Sequence, residues 1–188
     1  MMHHPGKARA RLVASLVAMA FLTVACGPSP EAVEKASFTL EETDVAVSLF
    51  STACLETLPS FDRFEQVMAA QGLTLTANED GKKLYKTEGA KPILALHGTE
   101  GPAIACGVGF LGPDDFAAVG QKFLTKAERQ TGGAAKERFP SSYFQFAVQL
   151  RNGSVMSHEA SRKGIRIHHI FFISTPVPRS EVASYIYN

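Results

Sequence analysis

The C-terminal third of the chain carries the sequence pattern that most constrains its fold. Residues 143–151 alternate between apolar and polar side chains, which is typical of a β-strand with one buried face. Asn152-Gly153 follows directly, and this dipeptide supplies the two positive φ angles of a type I′ turn. We therefore expect a hairpin here, with a return strand from Ser154. The expected buried face of the first strand carries Phe144, Phe146, Val148 and Leu150.

A further strand is expected over residues 165–174, after a turn at Lys163-Gly164. Its residues 170–173 are all apolar, so both faces are expected to be buried and the strand to lie in the interior of a sheet. Pro176 ends this strand, because proline cannot donate a ladder hydrogen bond. Earlier strands are predicted over residues 82–87, 93–96 and 103–108, the last two joined by turn residues 98–102.

Two helices are expected before these strands. Thr39 and Glu42 have the spacing of a capping box, and Pro59 ends the apolar periodicity that follows. A second helix is predicted from Ser60 to Gly72. The buried faces are expected to carry Val45, Leu49, Phe50, Ala53 and Cys54 in the first helix and Phe61, Phe64 and Met68 in the second.

A third helix is expected in the middle of the chain, from Pro113 to about Gln130. Proline suits a first helical turn, and Asp114 and Asp115 suit the positive end of the helix dipole. A short last helix is predicted after Ser180. Together the patterns predict a two-layer α+β domain, with the N-terminal helices and the middle helix packed on an antiparallel β-sheet with hairpins. The middle helix is expected to bury Phe116, Val119, Phe123 and Leu124.

The N-terminal 25 residues have the composition of an export signal. Lys7, Arg9 and Arg11 are basic, and no acidic residue occurs before Glu31. Residues 12–25 are uncharged, and as a helix they would extend about 21 Å, short of the ~30 Å hydrocarbon core of a bilayer. The pattern predicts a secretory signal peptide over residues 1–25. The alternative is a buried N-terminal helix.

The end of this segment is more specific. Leu22-Thr23-Val24-Ala25-Cys26 resembles the lipobox of bacterial lipoproteins, with the small residue Ala25 directly before the cysteine. The resemblance, which covers residues 7–27, implies diacylglycerol on the Cys26 thiol, cleavage before Cys26 and acylation of the new N-terminus. Gly27 in place of Asp implies the outer membrane, with the domain facing the periplasm. The alternative is plain secretion after cleavage near Ala25.

Cleavage divides the chain into parts of different character. Residues 26–36 become a lipidated cysteine with a proline-containing flexible tether, and residues 37–188 form a single domain. The chain has 19 basic and 18 acidic residues, and the signal takes three basic residues and no acidic one, which leaves a net charge of −2. Phosphate contacts dominate nucleic-acid affinity, so a faintly acidic domain is not expected to bind nucleic acid.

Two cysteines remain in the expected domain, Cys54 and Cys106. An even pair in an exported protein predicts a disulfide, here between the first helix and a strand. Such a bond closes a loop of 53 residues. The alternatives are free structural thiols or a nucleophilic cysteine with a histidine base.

Residues 107–112 match the Gly-x-Gly-x-x-Gly pattern of dinucleotide-binding turns. Pro113 delays the following helix, and Asp114 and Asp115 would repel a pyrophosphate at its N-terminus. We therefore interpret the glycines as positions of close packing, and we expect no cofactor.

The histidines of the domain are candidate metal ligands or catalytic bases. His168 and His169 are consecutive, so in a strand they point to opposite faces, and at most one can join His158 or His97. No cluster of acids or cysteines accompanies them in the sequence. We expect no metal site and interpret them as surface or core histidines.

These observations favour a membrane-anchored, non-catalytic exported domain that binds an envelope protein or glycan. The first alternative is a small envelope hydrolase that uses His97, His158 or His169 as its base. A metal carrier that uses the same histidines is a further alternative.

Overall fold

The computed structural model describes residues 40–89, 93–100, 103–139, 143–163 and 166–187. The signal peptide, Cys26, the tether and the Thr39 cap are predictions that lie outside these ranges. The described residues form one eight-stranded antiparallel sheet and four α-helices, which confirms the α+β class. The strand order is β1-β2-β3-β4-β8-β7-β6-β5.

The bounds of the elements are as follows. The helices are α1 (Leu40–Phe50), α2 (Phe64–Ala70), α3 (Phe116–Gln130) and α4 (Val182–Tyr187), with a π-helical turn (Ser51–Leu55) directly after α1. The strands are β1 (Thr74–Glu79), β2 (Lys82–Lys86), β3 (Leu94–Glu100), β4 (Ala103–Gly112), β5 (Glu137–Phe139), β6 (Phe146–Gln149), β7 (Ser154–Lys163) and β8 (Arg166–Pro176).

β8 is the last strand along the chain, yet it lies in the interior of the sheet between β4 and β7. This position confirms the prediction made from the apolar residues 170–173. Phe171 is completely buried, and Phe172 on the opposite face is partly buried. The hairpins β3–β4 and β6–β7 are also confirmed, with Glu100 paired to Ala103 and Gln149 to Val155.

The larger hydrophobic cluster contains residues of α1, α2 and α3 together with residues of the strands. Phe50 of α1 and Phe123 of α3 meet there edge to face, with ring centroids 5.4 Å apart. Phe61, Phe64 and Met68 are buried as predicted.

A smaller cluster lies on the opposite face of the sheet, beneath α4. Ala147 belongs to this cluster and Val148 to the larger one, because consecutive strand residues point to opposite faces. Phe144 packs against the smaller cluster, so its predicted place on one face with Phe146 is wrong. The backbone therefore leaves strict alternation before β6 begins. The smaller cluster consists of Ala103, Ala147, Val155, Val177, Val182 and Ile186.

Several predicted boundaries differ from the structure. α3 begins at Phe116, three residues after Pro113, and Asp115 is its N-cap. α2 begins at Phe64, not at Ser60.

The predicted buried face of α1 is wrong at Val45, which is 54% exposed, whereas Ala46 is buried. β1 was not predicted. It joins β2 through a turn in which Asp80 and Gly81 have φ angles of 51° and 76°.

Candidate functional site

The two cysteines of the domain come together in the core. Cys54 lies in the π-helical turn after α1 and Cys106 lies in β4, and both are completely buried. The structure pairs them as a disulfide with their Cα atoms 5.4 Å apart. The bond therefore connects the first helical segment to the sheet, as the sequence predicted.

The three glycines of the Gly-x-Gly-x-x-Gly pattern all lie within β4 and not in a strand-to-helix turn. A Cβ atom at Gly107 would lie 2.5 Å from the Phe172 ring, and one at Gly112 would lie 2.8 Å from the rings of Phe110 and His169. These positions exclude a side chain because aromatic rings already fill the space. The packing interpretation is thus confirmed at Gly107 and Gly112.

His97 of β3 packs among aromatic rings on the helix face of the sheet. Its ring stacks on Phe64 at 4.9 Å and meets Phe61 edge to face at 5.8 Å. Burial, and then the nearby Lys83 ammonium, lower the pKa of His97. Its Nε2 atom has no hydrogen-bond partner within the described ranges. The surroundings are those of a neutral core histidine.

His158 and His169 form a buried pair on adjacent strands β7 and β8. His169 Nε2 lies 2.8 Å from the carbonyl oxygen of Pro113, which can only accept, so Nε2 donates and Nδ1 is the unprotonated nitrogen. His158 Nε2 then donates to His169 Nδ1 at 3.0 Å. His168 lies on the other face of β8, so the predicted separation of His168 from His169 holds.

This chain of bonds leaves His158 Nδ1 as an unprotonated acceptor. Nδ1 is buried, and no donor among the residues that the structure describes reaches it. The atom lies 3.2 Å from the position that a Cβ on Gly120 of α3 would occupy. Burial, and then the neighbouring His169, lower the pKa of His158 to about 3. His158 is therefore a neutral acceptor directly beneath Gly120.

A cavity lies beside Gly120, on the side of α3 that covers His158. It is a groove of about 640 Å³ between α3 and the strand segment that carries β5 and β6, and we call it the α3 groove. Gly120 and Phe146, which cover His158, both line it. The complete lining is Asp114, Asp115, Phe116, Ala117, Gly120, Gln121, Leu124, Arg138, Gln145 and Phe146.

The charged groups of the α3 groove lie on opposite sides of it. On the helix side, the Asp115 carboxylate accepts from the backbone N–H of Ala118, and Asp114 receives a 2.8 Å bond from Arg162. Asp114 and Asp115 thus lie at a helix start, as the sequence indicated. On the strand side, the Arg138 guanidinium lies over the Phe146 ring, 5.6 Å from its centroid. A bound molecule in the groove would meet carboxylates on one side and a cation on the other.

The α3 groove was not predicted from the sequence, which also left open whether His168 or His169 would join His158 or His97. The register of the β7–β8 hairpin could have revealed the pairing of His158 with His169. His158 lies opposite Phe171 and Ala160 lies opposite His169, which makes the two histidines diagonal neighbours on one face. That register depends on the type and length of the turn between β7 and β8. Lys163-Gly164 predicts that a turn occurs but specifies neither.

The described part of the chain contains no three His, Cys, Asp or Glu side chains grouped as metal ligands. None of its helices is long and apolar enough to cross a membrane. Comparison with protein-family models, curated proteins and solved structures finds no match to the chain.

Proposed function

We propose that the chain is a lipid-anchored exported protein of the bacterial cell envelope whose α+β domain binds an envelope component without catalysing a reaction. The signal-like residues 1–25 and the lipobox-like sequence that ends at Cys26 support export and lipidation. The observation that carries the proposal is the buried pair Cys54 and Cys106, placed as a disulfide. Structural disulfides persist in oxidising compartments such as the periplasm and are rare in the cytosol.

The anchor consists of acyl chains on Cys26, and residues 27–36 connect it to the domain. One acyl chain binds a bilayer only marginally, whereas two or three hold firmly, at about 0.8 kcal/mol for each buried methylene. We place the protein in the outer membrane with its domain in the periplasm, because Gly27 and not Asp follows Cys26. A two-layer domain, with α1, α2 and α3 on one side of the sheet, is part of this proposal, and the composition of the larger hydrophobic cluster supports it.

Mass spectrometry of the intact mature protein, made from the full gene in a bacterial host, tests the proposal. We expect a chain that begins at Cys26, carries acyl groups and lacks two daltons because Cys54 and Cys106 are oxidised. Cys26→Ser is expected to abolish acylation, and the neighbouring Ser29→Ala is the matched control that keeps it. If the protein isolated from its own cells retains Met1 and three reduced thiols, the proposal is overturned.

The same preparation tests the non-catalytic part. The purified domain, released from its lipid, is expected to show no turnover of ester, peptide or glycan substrates above a heat-denatured control. Turnover that disappears in a His97→Ala or His158→Ala variant of intact fold would establish the hydrolase alternative instead.

A further inference from the structure

We propose that the α3 groove binds a small amphoteric molecule, which carries a primary ammonium group and a carboxylate, such as an amino acid or a short peptide with free termini. This inference rests on the proposed binding function and names the site and the ligand class. It is argued from three features: an unpartnered acceptor buried behind the groove wall, carboxylates on the helix side of the groove and a guanidinium on the strand side.

The first feature is the acceptor behind the groove wall. His158 Nδ1 is an unprotonated nitrogen that no described donor reaches, and His158 is completely buried. A buried acceptor without a donor destabilises the fold, because its hydrogen bond to water is lost and not replaced. The atom points at Gly120, which has no side chain and lines the groove. Gly120 and Phe146 separate this atom from the groove, so a ligand N–H reaches it only by displacing the Phe146 ring, and would then supply the missing hydrogen bond.

The second feature is the pair of carboxylates on the helix side. Asp114 and Asp115 are both exposed, and each accepts one hydrogen bond in the structure, from Arg162 and from the Ala118 N–H respectively. An ionised carboxylate has about four acceptor positions, so both keep acceptor capacity toward the groove. They make this side of the groove favourable for a cation with several N–H donors, although one Asp114 oxygen is already bound by Arg162.

The third feature is the guanidinium on the strand side. Arg138 is exposed, lines the groove and lies over the Phe146 ring, 5.6 Å from its centroid. A guanidinium binds a carboxylate through two parallel hydrogen bonds, and such pairs are among the stronger ones in proteins. Between the charged sides lie Phe116, Leu124 and Phe146, an apolar surface for a ligand body.

The size of the groove agrees with this class of ligand. Small-molecule sites usually have volumes of about 300–1,000 Å³, mostly apolar walls and a few placed polar groups. The α3 groove, at about 640 Å³, falls within that range. Separation of opposite charges across the groove selects a molecule with both charges over one with a single charge.

Calorimetric titration of the mature lipoprotein in detergent micelles tests the inference. The probe is L-alanyl-L-phenylalanine with free termini, and the control ligand is the same dipeptide with an acetylated N-terminus and an amidated C-terminus. We expect saturable binding of the free dipeptide and affinity lower by tenfold or more for the blocked one, because two charge-assisted contacts are removed. Equal affinity for both, or no saturable binding of the free dipeptide, would overturn the inference.

Variants locate the site. Arg138→Gln and Asp114→Asn are each expected to weaken binding of the free dipeptide about tenfold with little effect on the blocked one. Arg151→Gln, an exposed arginine at the β6–β7 turn, is the matched control and is expected to leave the affinity unchanged. An NMR signal of His158 that does not move on saturation would show that the ligand binds elsewhere and would contradict the proposed site.

The result of the dipeptide titration does not depend on whether Cys26 carries a lipid anchor. An acylated protein that binds neither dipeptide would remove this inference and leave the anchored envelope protein standing. If the protein is cytosolic and not acylated but binds the free dipeptide with the expected variant pattern, the proposed function is wrong. The inference about the ligand of the α3 groove then still holds.

Discussion

The ring of Phe123 in α3 lies flat against the ring of Phe171 in β8, with centroids 3.7 Å apart and planes 2° from parallel. Phe171 also stacks on His158, at 4.1 Å. The contact between Phe123 and Phe171 therefore fixes α3 over the central strand of the sheet. It also sets the distance between α3 and the strands that carry the histidine pair, and with it the width of the α3 groove.

Removal of the Phe123 ring is expected to be among the costlier core substitutions. Phe123→Ala should lower the free energy of unfolding by about 3–5 kcal/mol, the usual cost of deleting a buried aromatic ring. Urea unfolding measures it, and Val45→Ala, at a position that is 54% exposed, should stay within about 0.5 kcal/mol of the parent. Similar costs for the two variants would contradict the described packing of α3.

Loss of the disulfide is expected to destabilise the domain through its unfolded state. A Cys54→Ala/Cys106→Ala variant frees a loop of 53 residues, for which chain entropy alone gives roughly 4 kcal/mol. The parent should lose a similar amount on addition of a reductant, whereas the variant should not respond. A parent whose unfolding midpoint is the same with and without reductant would contradict this prediction.

The histidine pair is expected to make stability fall at acidic pH. His158 has a pKa of about 3 in the folded chain and about 6.5 when unfolded, so only the unfolded state takes up its proton between these values. The stability contributed by the neutral ring is complete above about pH 6.5 and decreases as pH falls toward 3, by up to ~1.4 kcal/mol per pH unit. His169 and His97 have pKa values shifted in the same direction.

Urea unfolding between pH 7.5 and pH 4.5 tests this sign with a matched variant. His158→Leu/His169→Leu removes both titrating rings and leaves no imidazole without its partner, so its stability should depend less on pH than that of the parent. His168→Leu, on the opposite face of β8, is the control. Parallel pH profiles for the parent and the double variant would show that the pair does not titrate as described.

A methyl group at Gly107 is expected to collide with the Phe172 ring. Gly107→Ala places a Cβ 2.5 Å from that ring, and overpacking of this kind costs about 1–3 kcal/mol. Phe172→Leu should recover part of the loss in the double variant. Gly109→Ala is the matched control in the same strand, because its nearest neighbour would be 3.5 Å away. A Gly107→Ala variant no less stable than Gly109→Ala would contradict the close approach.

The parts of the fold that depend on local patterns could be predicted from the sequence. The β6–β7 hairpin follows from Asn152-Gly153, and the interior position of β8 follows from its unbroken apolar run. β1 was not predicted, although Leu75 and Ala77 alternate with Thr74 and Thr76. Its apolar pattern is short, and five of its six residues are exposed. The turn at Asp80 and Gly81 is a second signal of this strand.

Other boundaries depend on contacts that are distant in the sequence. The carbonyl of Pro113 accepts from His169, so it is occupied by a strand 56 residues away and α3 begins later than its local signals suggest. The buried face of α1 is rotated toward Ala46, and Ala46 belongs to the core cluster that also contains β4 residues. At the start of α3 and on the buried face of α1, tertiary packing therefore has a larger effect than the local helix signals.

The α3 groove was beyond sequence analysis for a similar reason. Its lining combines residues of α3 with Arg138 of β5, Phe146 of β6 and Gln145, which directly precedes β6, at the far edge of the sheet. Only the order of the strands brings them beside the helix. The unprotonated Nδ1 of His158 follows from the Pro113 carbonyl two contacts away, which no local motif records.

The place of β8 determines the order in which the domain can assemble. β4 and β7 form no ladder with each other, so the two halves of the sheet join only when the final strand inserts between them. A chain delivered from its N-terminus can pair β1 to β4, and bring Cys54 to Cys106, well before that moment. A product that stops short of Arg166 would leave the inner edges of β4 and β7 open, and open edges recruit other chains. Insertion of the final strand, not formation of the first hairpins, is therefore the step that closes these edges.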